Sequence, residues 1–313
     1  MKKLLIFLMC LAALSCAGMK KASEFYRNEN YESAIGECKK AIAQDSLNAE
    51  AYLILGKSYQ ALDKLDAAVA AFATVTRLLP HTKFHTEAKQ ELIQIKLNIA
   101  NNFLEQQQYN RAISGYQEII VLDSTNFDAY YKLGKCYEKN GLLDKARSYY
   151  ERASQSKSDD QVACARIGTI DSLNQIAEVN FQKGKNFYDQ NKEQSARKYL
   201  KLALENKPDH KNATYYFHMT EGKILYRKGS KSACWDAISH YGKAMMLRTE
   251  SAEPHFYMAQ AYEKKDRNEF DNAIDEYQIA LKKEPTGNLA GPSKKKIKDL
   301  TTRRDKLKKF WGK

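Results

Sequence analysis

Apolar residues recur at helical spacing along most of this chain, in short segments that alternate with polar turns. The clearest stretches are AYLILGKSYQALDKLDAAVAAFATVTRLLP from Ala51, AYYKLGKCYEKNGLLDKARSYYERAS from Ala129 and FQKGKNFYDQNKEQSARKYLKLALENKP from Phe181. Each predicts two amphipathic helices joined by a short polar turn. Ala51 and Ala129 lie 78 residues apart, one period of 34 plus one of 44, and the longer period encloses a further copy, IANNFLEQQQYNRAISGYQEIIVLDS from Ile99. A hairpin of this size cannot bury its apolar face alone, so the pattern predicts an all-α array in which each copy is stabilised by stacking on the next.

Seven copies align, near residues 15–48, 49–82, 93–126, 127–160, 177–210, 215–251 and 252–287. One column, in the first helix, holds only small residues: Ala22, Gly56, Ala100, Gly134, Gly184, Gly222 and Ala259. A second-helix column is alanine throughout, at Ala34, Ala68, Ala112, Ala146, Ala196, Ala237 and Ala273. A third, also in the second helix, is mostly aromatic: Cys38, Phe72, Tyr116, Tyr150, Leu200, Tyr241 and Tyr277. Small residues are needed where two helices approach closely, and large ones fill the gaps between neighbours. Asn48 and Asn126 stand where N-caps of first helices belong. Pro80, Pro208 and Pro285 stand where second helices should stop. Insertions near His81–Leu92 and Asp160–Gln175 carry no strong breaker apart from Gly168, and predict longer first helices or short extra ones.

The copy with Tyr52, Leu55, Gly56, Tyr59, Ala68, Phe72 and Pro80 resembles the tetratricopeptide-repeat family, departing from its pattern only at Val75, where alanine is usual. Elsewhere the match is looser: Lys96 and Asn180 replace an aromatic in the first helix, and Lys21 replaces a leucine. The resemblance implies a right-handed α-solenoid of about seven hairpins over residues 19–285, closed by a basic amphipathic capping helix over 293–313. In that family the first helices line a concave groove. Carried onto this chain, the groove would present an apolar row of Leu53, Leu97, Tyr131, Phe181, Met219 and Phe256. Beside it would run Lys57, Asn101, Lys135, Lys185, Lys223 and Gln260. Such a surface suits an extended peptide or helix with apolar anchors and acidic groups. The competing reading makes the apolar row part of the core and the lysines ordinary solvated charges. Chaperone-clamp members of the family carry a Lys-x-x-x-Asn on one first helix and an Asn on the next, a combination absent here.

The N-terminus does not fit the repeat. Lys2 and Lys3, an apolar run from Leu4 to Leu14, and the small residues that follow predict an export signal over residues 1–15. Ala13-Leu14-Ser15-Cys16 resembles a bacterial lipobox, which implies acylation of Cys16 and a minimal tether over 16–18; cleavage after Ala17 to give a soluble periplasmic protein is the alternative. With Ala17 rather than Asp after the cysteine, the sorting habit of enteric bacteria implies the outer membrane, facing the periplasm.

The net charge of +13 is unevenly placed. Residues 293–313 hold ten Lys or Arg against Asp299 and Asp305, so the hairpin body is close to neutral once Lys2 and Lys3 are removed. Ile297, Leu300, Leu307 and Trp311 fall near one face of the terminal segment, which fits a cap on the last hairpin and also contact with anionic headgroups. Given export, nucleic acid is not an expected partner.

Four further cysteines, Cys38, Cys136, Cys164 and Cys234, show no paired spacing, so neither a zinc site nor a redox motif is implied. Cys38 and Cys136 fall where buried inert thiols are wanted, while a Cys164–Cys234 bridge stays open. His81 and His85, four apart, could share a helix face with a metal but lack a third ligand. No phosphate loop, dinucleotide fingerprint, nucleophile elbow or zinc-protease motif occurs, so no enzyme, cofactor or small-molecule substrate is expected. The sequence reads as a non-enzymatic protein-interaction scaffold of the bacterial cell envelope, binding envelope proteins or peptides while tethered to a membrane. The alternative is a self-associating spacer without a dedicated ligand.

Overall fold

A computed structural model describes residues 18–78, 80, 82–157, 160–266 and 270–311. It contains fifteen helices and no strand among the described residues. They pair in chain order: α1 (18–27) with α2 (Tyr31–Gln44), α3 (Ala49–Ala61) with α4 (Leu65–Leu78), and α5 (His85–Glu105) with α6 (Tyr109–Leu122). Next come α7 (Phe127–Lys139) and α8 (Leu143–Ser156), α9 (Gln161–Asp189) and α10 (Glu193–Asn206), then α11 (Lys211–Lys228) and α12 (Lys231–Leu247). The last pair, α13 (Glu253–Lys265) and α14 (Phe270–Lys283), is followed by a single helix, α15 (Ala290–Phe310). The extra residues of the two long periods lie in first helices, α5 with 21 residues and α9 with 29. Residues 1–15, expected to form an export signal, and Cys16 lie outside the described residues, as does His81.

Two compact units result, Met1–Asn140 with Ser148–Cys164, and Gly141–Arg147 with Ala165–Lys313. Within each, consecutive helices pack on one another, and the apolar core is a chain of local clusters. In the first unit, Met19, Ala22, Ile35 and Cys38 pack with Ala51, Ile54 and Leu55 of the following hairpin. In the second, Leu200, Tyr215, Met219, Tyr241 and Met258 from successive helices share another.

The small column and the column of large residues meet face to face inside the hairpins whose small residue is glycine. A Cβ built on Gly56 would come 2.5 Å from the Phe72 ring, one on Gly134 2.7 Å from Tyr150, and one on Gly184 2.7 Å from Leu200. Their large partners are completely or almost completely buried, and every member of the alanine column has zero exposure. In the third hairpin the sizes are exchanged: Ala100 carries the methyl, and Gly115 in α6 makes room, where a Cβ would lie 3.0 Å from that of Ala100.

Local signals fix the ends of helices. The Asn48 and Asn126 side chains accept from the backbone N–H of Ala51 and Ala129, each at 3.0 Å, which satisfies donors that a helix leaves open. Gly229 ends α11 in the left-handed region at φ 75°. The turn inside five hairpins also uses one left-handed residue, at Glu29, Asp63, Gln107, Gly141 and Asn191, only one of which is glycine. The terminal helix expected from residue 293 begins earlier, at Ala290, with Gly291 and Pro292 in its first turn, where proline's missing N–H costs no helical hydrogen bond. Trp311 does not join the buried face with Leu300; it is 72% exposed beyond the end of the helix.

Cys38, Cys136 and Cys234 are free and buried; Cys164 is free and exposed. The bridge between Cys164 and Cys234 that the sequence left open is not formed. Burial pushes the Cys38 thiol up to about 12 and that of Cys136 to about 11, which keeps both protonated and unreactive.

Two glycine substitutions separate packing from backbone entropy. Gly36 in α2 has nothing within 4 Å of an added Cβ, so Gly36→Ala should stabilise by about 0.5–1 kcal/mol. Gly134→Val should destabilise by about 1–3 kcal/mol, because Tyr150 is fully packed in its way. Urea denaturation of both variants checks the pair.

Candidate functional site

The two columns expected to line a groove separate on folding. Leu53, Phe181, Met219 and Phe256 are 5, 5, 0 and 6% exposed, and Leu97 is buried with them. Leu53 packs with Phe72 and Ile95, Phe181 lies against Tyr216 at 6.0 Å between centroids, and Phe256 against Tyr277 at 5.4 Å. The expectation of an open apolar row is corrected for these residues. Each gains about 1.5–3 kcal/mol in the seam between helices, which an exposed position would forfeit. Only Tyr131 is partly open, stacked on Phe127 at 5.8 Å and tilted against Tyr150 at 5.3 Å.

The lysines divide as well. In the first unit Lys57 is ion-paired with Glu87 of α5, whereas Lys135 is exposed. Asn101, in the same column, accepts from the buried Tyr116 hydroxyl at 2.7 Å. In the second unit Lys185 remains partly exposed, and Lys223 is 7% exposed.

Lys223 sits in a cage built by three first helices. Its Nζ lies 3.7 Å from the ring centre of Tyr188 on α9, 4.5 Å from that of Tyr257 on α13, and 3.6 Å from Glu253 Oε1. Glu253 also accepts from the Tyr188 hydroxyl at 2.6 Å and, more weakly, from that of Tyr215 at 3.5 Å. Glu193, buried at the start of α10, accepts from Arg227 at 2.6 Å. Burial lowers the Lys223 ammonium below the usual lysine range, against the pull of Glu253 and Glu193. The same burial, with Glu253 beside it, raises the Tyr188 phenol and keeps it a hydrogen-bond donor. Aromatic faces and one carboxylate thus replace the water this cation has lost. Lys223 is a structural cation and not a groove contact.

What stays accessible lies beside the cage. Tyr216 on α11 is partly exposed, with Lys185 Nζ 5.7 Å and Arg248 Cζ 5.0 Å from its ring centre. Its ring packs against Phe181 at 6.0 Å and edge-on to Tyr188 at 5.2 Å, so its position is fixed from below. Arg248 follows α12, lies 4.2 Å over Tyr215 and donates to Asn212 at 2.9 Å. Lys185 donates to Asp189 at 2.7 Å, which raises its pKa and keeps it charged. An aromatic ring between two held cations is equipped to take an acidic group next to a flat apolar one. Of these residues the sequence column identified Lys185 and Phe181. It missed Tyr188, Tyr216, Arg248 and Glu253; for the tyrosines the signal was the tandem Tyr215-Tyr216 and the excess of tyrosine, and Arg248 and Glu253 carried none.

A second polar pair joins α11 to α12: the Nδ1 atoms of His218 and His240 are 3.0 Å apart. Burial first, then His240 and Lys243, hold His218 down to about 4; burial and Lys243 also lower His240. At neutral pH one ring therefore donates to the other. A 550 Å³ cleft lies elsewhere, between α4, α5 and α6, lined by Val69, Lys96, Ile99 and Phe103. Among the described residues no three His, Cys, Asp or Glu side chains converge as a metal site, and no helix is long and apolar enough to cross a membrane.

Comparison with known proteins places the repeat. A family profile described as tetratricopeptide repeat matches residues 19–81, and another so described matches 127–160 and 177–210; a TPR-repeat profile matches 100–141. The chain is 26% identical over 118 residues to Protein bimA of Emericella nidulans, an alignment that covers 38% of this chain and 13% of that protein. Among solved structures, the P58(IPK) TPR domain is similar at 16% identity and a TM-score of 0.37, covering 92% of this chain and 89% of that one. A tetratricopeptide repeat protein from Parabacteroides merdae gives 13% identity and a TM-score of 0.34, covering 92% and 98%.

The cage and the histidine pair each generate an expectation for stability. Lys223→Met should destabilise by about 1–3 kcal/mol, because it leaves the partly buried Glu253 carboxylate without its cation. Lys223→Glu should cost about 3–5 kcal/mol by burying like charges together. Thermal and urea unfolding of the two variants distinguish this from a solvated lysine, for which both changes would be small. The unfolded chain, with histidine at 6.5, binds more protons than a folded chain with His218 at about 4. Stability should therefore fall as pH drops through that window and be fully present above it. A denaturation series across that window, with His218→Asn flattening the slope, is the check.

Proposed function

Because the chain carries tetratricopeptide repeats, we propose that it is a non-enzymatic scaffold of the bacterial cell envelope that holds partner proteins or peptides on its first helices while an acyl chain on Cys16 tethers it to the outer membrane. Such repeats are generally interaction modules without catalytic groups of their own. The observation that carries the binding reading is the open site at Tyr216, where Lys185 and Arg248 stand over a ring fixed by Phe181 and Tyr188. It offers an extended segment one flat apolar contact and two charge-assisted donors, which favours a partner with an acidic residue next to an aromatic or aliphatic one. On α7, Tyr131 is partly exposed and Lys135 is exposed.

The tether rests on the Lys2-Lys3 start, the apolar run and the small residues around Cys16. One acyl chain gives only marginal, reversible binding, whereas two or three make it durable. Lys20 and Lys21, both exposed at the start of the described chain, would then face headgroups.

Photo-crosslinking in the native cell with a benzophenone amino acid at Tyr216 tests the site. A discrete envelope protein should be captured, and Lys185→Glu with Arg248→Glu should reduce capture at least about tenfold, roughly the loss of one charge-assisted hydrogen bond. Unchanged capture in that variant, with an unchanged circular dichroism spectrum, refutes the site. The intact mass of the mature protein tests the tether: an acylated N-terminal Cys16 is expected, and an unmodified chain beginning at Gly18 rules it out.

A further inference from the structure

Three residues after the small column, Phe103, Tyr137 and Phe187 hold the same place in three successive first helices. Three residues after the alanine column, the second helices that follow carry Gly115, Tyr149 and Tyr199. In two of these hairpins the pair is a stack. Tyr149 lies on Tyr137 at 5.2 Å between centroids and 5° between planes, and Tyr199 on Phe187 at 5.5 Å and 14°. In the hairpin of α5 and α6 glycine replaces the tyrosine, and no aromatic ring stacks on Phe103 among the described residues.

The missing ring leaves the 550 Å³ cleft over Val69, Ile99 and Phe103, all three partly exposed. A second ring is missing beside it. Where the hairpins on either side have Tyr52 and Tyr130 in the first helix, this one has Lys96, which reaches outward to Glu118 at 2.5 Å. The cleft falls within the ~300–1,000 Å³ usual for ligand sites, and its floor is a contiguous apolar surface from two helices. A ring laid on Phe103 would restore the stack that the next two hairpins build from their own tyrosines.

The rim selects what accompanies that ring. Arg111, exposed and bonded to Gln108 at 3.0 Å, has its Cζ 5.6 Å from the Phe103 ring centre, so an inserted ring meets a cation at one edge. Glu118 is taken up by Lys96, whereas Asp66, exposed on α4, has no ion-pair partner among the described residues. We propose that this cleft is a second binding site, which takes a tyrosine or phenylalanine side chain from a partner segment with a lysine or arginine next to it, the cation meeting Asp66. Its preference is opposite to that of the site at Tyr216, where Lys185 and Arg248 favour an acid, and it does not rest on that site.

Saturation-transfer NMR on the full chain tests the cleft, with blocked peptides Gly-Lys-Tyr-Gly, Gly-Lys-Ala-Gly and Gly-Glu-Tyr-Gly as probes. The ring protons of the Lys-Tyr peptide should be saturated, and the Lys-Ala peptide should give no signal. Ala100→Gly with Gly115→Tyr installs the ring that the next hairpins carry and gives it room. The signal lost on this filling belongs to the cleft, which separates it from any binding at Tyr216, and it should be larger for Lys-Tyr than for Glu-Tyr. Asp66→Lys should weaken Lys-Tyr binding about two- to fivefold and favour Glu-Tyr instead. Equal signals from the filled and unaltered chains overturn the proposal, as does a loss that is the same for both tyrosine peptides. Self-association of the unaltered chain that filling abolishes also overturns it, since the occupant is then a second copy. If circular dichroism shows that the filled variant does not fold, Asp66→Lys decides: an unchanged preference for Lys-Tyr refutes the site.

Discussion

Where the first helix of a hairpin carries glycine in the small column, a missing side chain faces a large one. Gly56, Gly134 and Gly184 leave the space that Phe72, Tyr150 and Leu200 fill, and a single methyl would meet the ring or branch at 2.5–2.7 Å. This contact sets how near the two helices come, and so where everything else on the first helix points. The same geometry ties core to surface. A tyrosine seated on the small column reaches through the hairpin with its hydroxyl, and the buried oxygen needs an acceptor. Tyr116 finds Asn101, Tyr150 finds Glu138 at 2.8 Å and Tyr277 finds Glu263 at 2.6 Å, all on first helices. Polar residues that look like solvated surface in the sequence are thereby bound to the core.

The cage around Lys223 extends this logic across three first helices. A lysine in a column of otherwise accessible residues becomes buried because Tyr188 and Tyr257 close over it from α9 and α13. Its charge is tolerated only with Glu253 beside it, and Glu253 in turn is held by Tyr188 and Tyr215. The network fixes the rings next to the open site, since Tyr188 packs edge-on to Tyr216. Neighbouring cations thus differ in setting: Lys223 is enclosed in the scaffold, and Lys185 and Arg248 stay partly exposed beside Tyr216.

Charge is partitioned along the chain in the same spirit. Ion pairs in the hairpins are local and mostly exposed, each worth little on its own. The unbalanced charge is concentrated on α15, where the inward cations Lys296 and Arg304 are matched by Glu263 and Asp271 and the outward lysines are not. The result is a nearly neutral body ending in one strongly electropositive face.

Most of the fold was legible in the sequence because it depends on local periodicity and side-chain size. The alanine column, the small column, the N-caps at Asn48 and Asn126 and the seven hairpins all follow from short-range rules that repeat. The left-handed turn residues were less legible, since Glu29 and Gln107 adopt a conformation usually signalled by glycine. The site was legible only in part. The sequence determined that lysines and apolar residues share the first-helix face, but a column cannot distinguish Lys185, which stays open, from Lys223, which is enclosed. Nor can it show that Phe181 and Met219 turn into the seam while Trp311 stays in water. Those outcomes depend on which side chains of separate helices close over a given position. Burial is a property of the neighbours a residue meets, and only the tertiary structure brings them together.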